Sequence, residues 1–235
     1  MDSLIDIAAA RSLVADAALW PRVRDFLWDF APQVHPSWLE GLNLLESLGN
    51  LESLDRRALL ENLGGNPRVK ALIYSKFGIE PCFHAFPKDD WSRLILLDGQ
   101  ELELIVKWLG ALSCADSLRR VTDGATVRAL KAELSGVYPE VFGYTAYFSG
   151  FDLAAKNARD AKKPEEVLSV GIELLSSLLD ACPEPLVKRF KLKLPKKLCE
   201  LGVPCGEKQE RLPAGGAVKK LLKLKFPEAY RLCCL

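Results

Sequence analysis

The sequence predicts a mainly α-helical protein, a compact multi-helix domain with at most a short strand or extended arm near residues 188–195. Three observations predict this fold class. Apolar residues recur at helical spacing in several segments, most clearly across residues 102–112. Proline or N-cap residues precede several of these segments, as they do at helix starts. No period of about 20 to 50 residues recurs along the chain, so a repeat solenoid is not expected.

Charge is divided unevenly along the 235 residues. The formal net charge is only +1, which argues against a dedicated nucleic-acid-binding domain, since such domains are strongly basic. Residues 186–235, however, hold 13 Lys and Arg against 4 Glu, a net charge of +9. Residues 1–185 therefore carry a net charge of −8. The chain is predicted to combine an acidic body with a basic C-terminal fifth.

The composition is typical of a globular protein, with 49% hydrophobic and 27% charged residues. No apolar run approaches the roughly 20 residues that a membrane-spanning helix needs. Asp2 and Asp6 precede the first cation, Arg11, so the N-terminus lacks the positive region of a secretory signal. Seven scattered cysteines favour free thiols in a reducing cytosol.

Residues 1–95 are expected to form an N-terminal helical part. Pro21 and Pro36 suit the first turns of two helices, because a helix leaves its first N–H groups without intrahelical partners. His35, directly before the second proline, is predicted to be a boundary residue near a helix cap. The Gly-Gly-Asn-Pro sequence at residues 64–67 ends one element and begins another.

Residues 96–235 are expected to form a helical core with a basic C-terminal segment, within the same compact domain. The clearest core helix covers residues 102–112. Its apolar stripe consists of Leu102, Ile105, Leu109 and Leu112. Glu103 and Lys107 are predicted to pair on the solvent side, four residues apart.

Two further helices are predicted from their first residues. Asp123 is a favourable N-cap, and Pro164 is followed by Glu165 and Glu166, whose charges suit the positive end of a helix dipole. Between them, residues 138–151 are rich in aromatic residues and glycines. Such rings could stack on bases, but no basic residue is interleaved with them. Packing or a protein contact is therefore the preferred interpretation.

The basic C-terminal fifth contains two patterned segments. Apolar and basic residues alternate along residues 190–194, which is the period of a strand. One face would pack while the lysine face stays in water. The segment is short and stops at Pro195, so a single edge strand or extended arm is predicted. After a loop at residues 200–216, residues 217–226 predict a basic helix.

Signals for catalysis or metal binding are weak. No glycine-rich phosphate-binding motif occurs. Cys82 and His84 lie close together in a proline-flanked segment, but nearness along the chain does not supply the geometry of a nucleophile and its base. Cys199 and Cys205 are more widely spaced than the usual zinc pair. We therefore predict no enzymatic activity, metal or cofactor, with a thiol enzyme using Cys82 as a competing class.

The order of several segments carries a family resemblance. A leucine-rich helix with the pair Leu109-Gly110 leads to a turn containing Arg119-Arg120. Residues 187–195 form a basic segment that ends in Leu-Pro, and residues 218–230 contain a Lys-Leu pattern followed by Pro227. In order and spacing these segments resemble the cytoplasmic K component of bacterial type III secretion systems, the SctK family, which includes YscK and PscK.

The resemblance covers residues 95–235, and the Cys233-Cys234 ending departs from it. It implies a mostly helical, non-enzymatic adaptor in the cytoplasmic sorting platform, peripheral to the inner membrane at the base of the secretion apparatus. The implied partners are the cytoplasmic domain of an SctD-like inner-membrane-ring protein and an SctQ-like pod protein, with an SctL-like stator protein as a further candidate. No nucleic acid, membrane insertion or cofactor is implied.

The acidic body and the basic segment predict two differently charged surfaces for two partners. The cations expected at a contact are Lys188, Arg189, Lys191, Lys193, Lys219 and Lys220, with Arg119 and Arg120 as further candidates. Two alternatives stay open. The same segment could bind nucleic acid or anionic lipid, which salt-sensitive binding without a protein partner would favour. It could also be only a solvated face.

Overall fold

The structure is a computed structural model that describes residues 19–39, 67–80, 91–149, 161–180, 182–201 and 214–234. Within these ranges the chain is helical and contains no strand, which confirms the predicted mainly α class. The α-helices are α1 (Leu19–Trp28), α2 (Pro67–Phe77), α3 (Gly99–Ser113), α4 (Ala115–Arg119), α5 (Gly124–Glu133), α6 (Thr145–Phe148), α7 (Pro164–Ser177), α8 (Glu184–Lys193), α9 (Lys196–Leu201), α10 (Ala214–Lys225) and α11 (Pro227–Cys234). Short 3-10 turns occur at Ala31–Gln33, Pro36–Trp38, Ser92–Leu96 and Glu140–Gly143.

The chain divides into two compact units. Unit 1 contains residues 1–88 and 182–196, and unit 2 contains residues 89–181 and 197–235. The basic C-terminal segment is therefore shared between the units, because its first part returns to unit 1. Among the helices of the described ranges, none is both long and apolar enough to cross a membrane.

In unit 1, Tyr74 ties α2 to the C-terminal end of α1. Its hydroxyl donates to the carbonyl oxygen of Trp28 at 3.1 Å and accepts from the backbone N–H of Phe30 at 2.9 Å. Lys70, one turn earlier on α2, forms a 2.7 Å ion pair with Asp29. The carbonyl oxygen of Trp28, at the end of the helix, thereby gains a donor.

The predicted strand or extended arm near residues 188–195 is wrong, because this segment forms helix α8 up to Lys193. Leu186 and Phe190 are buried one turn apart, and an α-helix places such residues on the same face. The alternation of apolar and basic residues along residues 190–194 was misleading because Lys193, on the face predicted to stay in water, is buried. Leu194, the C-cap of α8, has an extended backbone.

The two prolines predicted to start helices both lie in helical turns, although the residues before Leu19 lie outside the described part of the chain. Pro21 lies in the first described turn of α1, and the second proline begins a 3-10 turn. His35 caps that turn, since its Nδ1 accepts from the backbone N–H of Ser37 at 3.2 Å, which confirms its predicted boundary role. Trp38 at the end of the turn donates from Nε1 to the carbonyl oxygen of Leu194 at 2.8 Å. The turn is thereby fixed to the end of α8.

In unit 2, α3 and α7 pack against each other and bury apolar faces. Asp98 starts α3 with a capping box, in which its side chain accepts from the backbone N–H of Glu101 and the Glu101 carboxylate accepts from the backbone N–H of Asp98. The predicted pair of Glu103 and Lys107 is present, at 2.8 Å. The buried residues of α3 are Leu102, Ile105, Val106, Trp108, Leu109, Gly110, Ala111 and Leu112.

The predicted starts of α5 and α7 are confirmed. The Asp123 carboxylate accepts from the backbone N–H of Thr126 at 2.7 Å, as an N-cap does. In the first turn of α7, the Glu166 carboxylate accepts from the backbone N–H groups of Lys163 and Lys162, at 3.0 and 2.8 Å. These two hydrogen bonds hold the pKa of Glu166 below its ordinary value.

Candidate partner-binding surfaces

The eight cations predicted to meet a partner are divided between the two units. Unit 1 contains Lys188, Arg189, Lys191 and Lys193, and unit 2 contains Arg119, Arg120, Lys219 and Lys220. The basic segment that the sequence suggested is therefore two groups of cations. Their side chains also differ in exposure, which separates packing roles from surface roles.

Arg189 and Lys193 are buried in unit 1, with only 1% and 2% of their surface exposed. Both cations lie over the ring of Phe26, with Arg189 Cζ at 6.0 Å and Lys193 Nζ at 4.9 Å from its centroid. The Arg189 guanidinium also donates to the backbone carbonyl oxygens of Leu27 and Glu80. Buried charge requires such partners, so both side chains contribute to the packing of unit 1.

The other two cations of this group are more accessible. Lys188 is exposed, and its Nζ lies 3.5 Å from the carbonyl oxygen of Gly78. Lys191 is half-buried. Lys188 is therefore the most accessible cation of α8.

Arg119 holds together neighbouring parts of unit 2. Its guanidinium donates to Thr145 Oγ1 at 2.6 Å, lies 3.4 Å from the Asp116 carboxylate and sits 5.6 Å from the centroid of the Phe142 ring. The pairing with Asp116 is the local pairing expected of an arginine in a helical turn. Arg120 is exposed beside it.

The described part of the aromatic segment, up to residue 149, packs on α3, which agrees with the packing interpretation preferred from the sequence. The Tyr144 ring meets the buried Trp108 ring edge to face at 5.4 Å, and Phe148 is buried. Tyr147 differs, because 55% of its surface is exposed. Packing therefore accounts for most of the segment but leaves one ring in solvent.

Cations do lie on these rings, although none is interleaved with them in the sequence. Lys225 Nζ lies 3.9 Å from the Tyr144 centroid and 4.6 Å from that of Trp108, and it pairs with the Glu140 carboxylate. Burial alone would lower the pKa of Lys225, but its hydrogen bonds with Glu140 and Tyr144 raise it above the ordinary value. The sequence does not predict this role for Lys225, because its neighbours in the chain do not distinguish it from the other lysines of its helix.

Helix α10, which includes Lys225, makes a second contact with the aromatic segment and also exposes two lysines. Lys220 Nζ lies 5.9 Å from the centroid of the Phe148 ring. Lys219 and Lys223 are exposed one turn apart, and Leu224 is 43% exposed. The buried side of α10 consists of Ala217, Val218, Leu221 and Leu222. We call the outward set the lysine–tyrosine face, defined as Tyr147, Lys219, Lys220, Lys223 and Leu224.

Unit 1 exposes apolar surface on α2. Leu72 is 44% exposed and lies between Arg68 and Lys76, each four residues away and also exposed. Residues at this spacing share one helix face, so the leucine is flanked by cations on both sides. Trp28, at the end of α1, is a further exposed apolar residue of unit 1, at 38%.

Groups for catalysis are sparse in the structurally described part of the chain. Those residues contain no group of three or more His, Cys, Asp or Glu that could hold a metal ion. Cys82, His84 and Cys205 lie outside the described residues. Cys114 is buried, and burial followed by the charge of Glu166 raises the pKa of its thiol to about 12. A thiol so protonated is a poor nucleophile.

The chain matches a model of a known protein family. The family model described as YOP proteins translocation protein K (YscK) matches residues 30–233, which is most of the chain and includes parts of both compact units. No curated protein and no solved structure gives a match.

Proposed function

The chain belongs to the YscK family of type III secretion proteins, and from this premise we propose that it works as a non-enzymatic adaptor within that apparatus. In this proposal it links the cytoplasmic domain of an SctD-like inner-membrane-ring protein to an SctQ-like pod protein. An SctL-like stator protein is a further candidate partner. The adaptor would act in the cytoplasm, peripheral to the inner membrane at the base of the secretion apparatus.

One observation carries the proposal: each compact unit has its own exposed surface in which an apolar side chain lies among cations. In unit 1 this is Leu72 on α2, and in unit 2 it is Leu224 on α10. An adaptor must hold two partners at once, so it needs two surfaces that do not overlap. Single exposed leucines are common, but cations on the same helix face add charge by which a partner can be oriented.

Mixing the purified proteins tests the proposal. The SctD-like cytoplasmic domain and the SctQ-like pod protein are combined with and without this chain, and the masses of the complexes are measured by light scattering. We expect a complex containing both partners only when the chain is present. The proposal fails if the chain binds neither partner, or if the two partners exclude each other from it.

Binding of nucleic acid or anionic lipid is the second candidate, because α10 carries four lysines and no carboxylate. Such binding would be sensitive to salt and would need no protein partner. Duplex DNA and vesicles containing anionic lipid, titrated with the chain alone at increasing salt, separate this candidate from the adaptor.

A further inference from the structure

We infer that the lysine–tyrosine face of unit 2 is a docking surface for an acidic amphipathic helix of a protein partner. The inference deepens the adaptor proposal by naming the surface and the chemistry of the segment that binds it, and it rests on that proposal for the identity of the partner. The face occupies the outward side of α10 together with the exposed ring of Tyr147.

Two contacts bring helix α10 against the segment that contains Tyr147. Lys220 reaches the ring of Phe148, and Lys225 reaches the ring of Tyr144. Helix α10 therefore runs along the segment that carries Tyr147, which lies between the two contacted rings in the sequence. Leu224 likewise lies between Lys220 and Lys225 in the sequence. Both apolar side chains point outward, at 55% and 43% exposure.

The charge of the face favours an acidic occupant. Of the four lysines of α10, Lys225 is neutralised by Glu140. Lys219 and Lys223 have no ion-pair partner within the part of the chain that the structure describes. Lysines one turn apart repel each other, and carboxylates of a partner placed between them would relieve that repulsion.

The apolar members favour a protein helix over a lipid surface or a nucleic acid. A helix that binds a membrane needs a broad apolar face, but the apolar side of α10 is already buried within unit 2. Nucleic acid bound by stacking needs a row of accessible rings, whereas Tyr144 and Phe148 are covered by lysines. A leucine and a tyrosine among lysines instead match a partner helix with one apolar stripe between acidic residues.

Charge reversal at this face tests the inference in the full-length chain. The test variant is Lys219→Glu with Lys223→Glu. The matched control is Arg128→Glu with Lys131→Glu, which makes the same change of charge on exposed residues of α5 in the same unit. Dissociation constants are measured for the SctD-like cytoplasmic domain, the SctQ-like pod protein, a synthetic Glu- and Leu-containing helical peptide, anionic vesicles and duplex DNA. Leu224→Ser is a third variant that leaves the charge unchanged.

We expect the test variant to weaken binding of one protein partner, and of the peptide, by about tenfold or more, while the control stays within about twofold. Leu224→Ser should weaken the same two interactions. If the wild-type chain binds neither protein partner, the adaptor proposal fails, and the peptide alone then decides the inference. The inference is overturned if test and control variants behave alike, or if charge reversal abolishes only vesicle or DNA binding.

Discussion

Gly110 of α3 and Gly171 of α7 lie against each other where the two helices cross. A Cβ built on Gly110 would overlap the carbonyl oxygen of Val167, and one built on Gly171 would overlap that of Val106. Each glycine therefore makes room for the backbone of the opposite helix. The missing Cβ atoms allow the two helices of unit 2 to approach more closely than any other residue type would permit.

Replacing either glycine by alanine should destabilise unit 2. We expect Gly110→Ala or Gly171→Ala to lower the free energy of unfolding by about 3 kcal/mol, because the added methyl group meets backbone that cannot move aside. Intrinsic helix propensity acts in the opposite direction, since alanine is favoured over glycine by about 1 kcal/mol. Urea denaturation followed by circular dichroism measures the difference.

Gly124→Ala is the matched control, because this glycine is also helical. A Cβ at this position would meet only Arg128 Nη1, at 3.7 Å, which is ordinary contact. Its stability should be unchanged or slightly increased. If Gly110→Ala also left the free energy of unfolding unchanged, the close crossing of α3 and α7 would be contradicted.

Arg189 is predicted to stabilise unit 1 through its buried hydrogen bonds. Arg189→Met keeps much of the side-chain volume but removes the donor to the Leu27 and Glu80 carbonyl oxygens. We expect a loss of about 2–4 kcal/mol in the free energy of unfolding, because both of these hydrogen bonds of the guanidinium are lost and the carbonyl group of buried Leu27 loses this donor. Lys193→Met should cost about 1 kcal/mol, since it loses the contact with the Phe26 ring.

Lys188→Met is the control on the same helix. Lys188 is exposed, so its replacement should change stability by no more than about 0.5 kcal/mol. Binding to the partners provides a second readout. If Arg189→Met retained full stability and yet lost a partner, Arg189 would act at an interface and its packing role would be wrong.

The features predicted correctly from the sequence depend on neighbours within one helical turn. Asp123 caps α5, Glu166 accepts hydrogen bonds at the start of α7, and Glu103 pairs with Lys107. Helix caps and side-chain pairs join residues three or four positions apart, and local helix geometry sets both. The residue types and their spacing are therefore enough to predict them. This local physics accounts for the predicted helical class and several helix boundaries.

The features that were missed depend on residues far apart in the chain. The alternating residues of α8 predict a strand only if its lysines face solvent. Lys193 instead lies over the ring of Phe26 in α1. Lys225 is distinguished only by Trp108 and Tyr144, which belong to other elements. Sequence spacing does not report such tertiary contacts, and so it could not separate buried cations from exposed ones.

The capping role of Glu166 predicts a defined pH dependence. The pKa of this carboxyl is lowered in the folded state, chiefly by the backbone N–H of Lys163 and then that of Lys162. Its stabilisation is therefore complete above the unfolded-state pKa of about 4.3 and is lost as the pH falls through the folded-state pKa. Glu166→Ala should cost about 1 kcal/mol at pH 7, and this difference should shrink below about pH 4. Urea denaturation across pH 3 to 7 (roughly the range of carboxyl titration) measures it.

Glu165→Ala is the control for this prediction. Glu165 is exposed and lies 3.7 Å from Lys197 in a solvent-screened pair, so its loss should cost no more than about 0.5 kcal/mol. A difference between wild type and Glu166→Ala that grew as the pH fell below about 4 would contradict the capping role, because protonation should remove it.

Lys225 should stabilise the packing of α10 on the aromatic segment. Lys225→Met removes the ion pair with Glu140 and the cation contacts with Tyr144 and Trp108. We expect a loss of about 1–2 kcal/mol in the free energy of unfolding at pH 7. Lys223→Met is the control, because this lysine is exposed on the same helix and should change stability by no more than about 0.5 kcal/mol.

The alkaline pH dependence of the Lys225 effect has the opposite sense from that of Glu166. Because the folded state raises the pKa of Lys225, its stabilisation is complete below the unfolded-state pKa of about 10.4 and is lost as the pH rises through the folded-state value. The difference between wild type and Lys225→Met should therefore be constant from about pH 7 to 9 and narrow above about pH 10.5. If the difference in the free energy of unfolding between wild type and Lys225→Met stays constant above about pH 10.5, then the methylene chain of Lys225, rather than its charge, holds α10 in place.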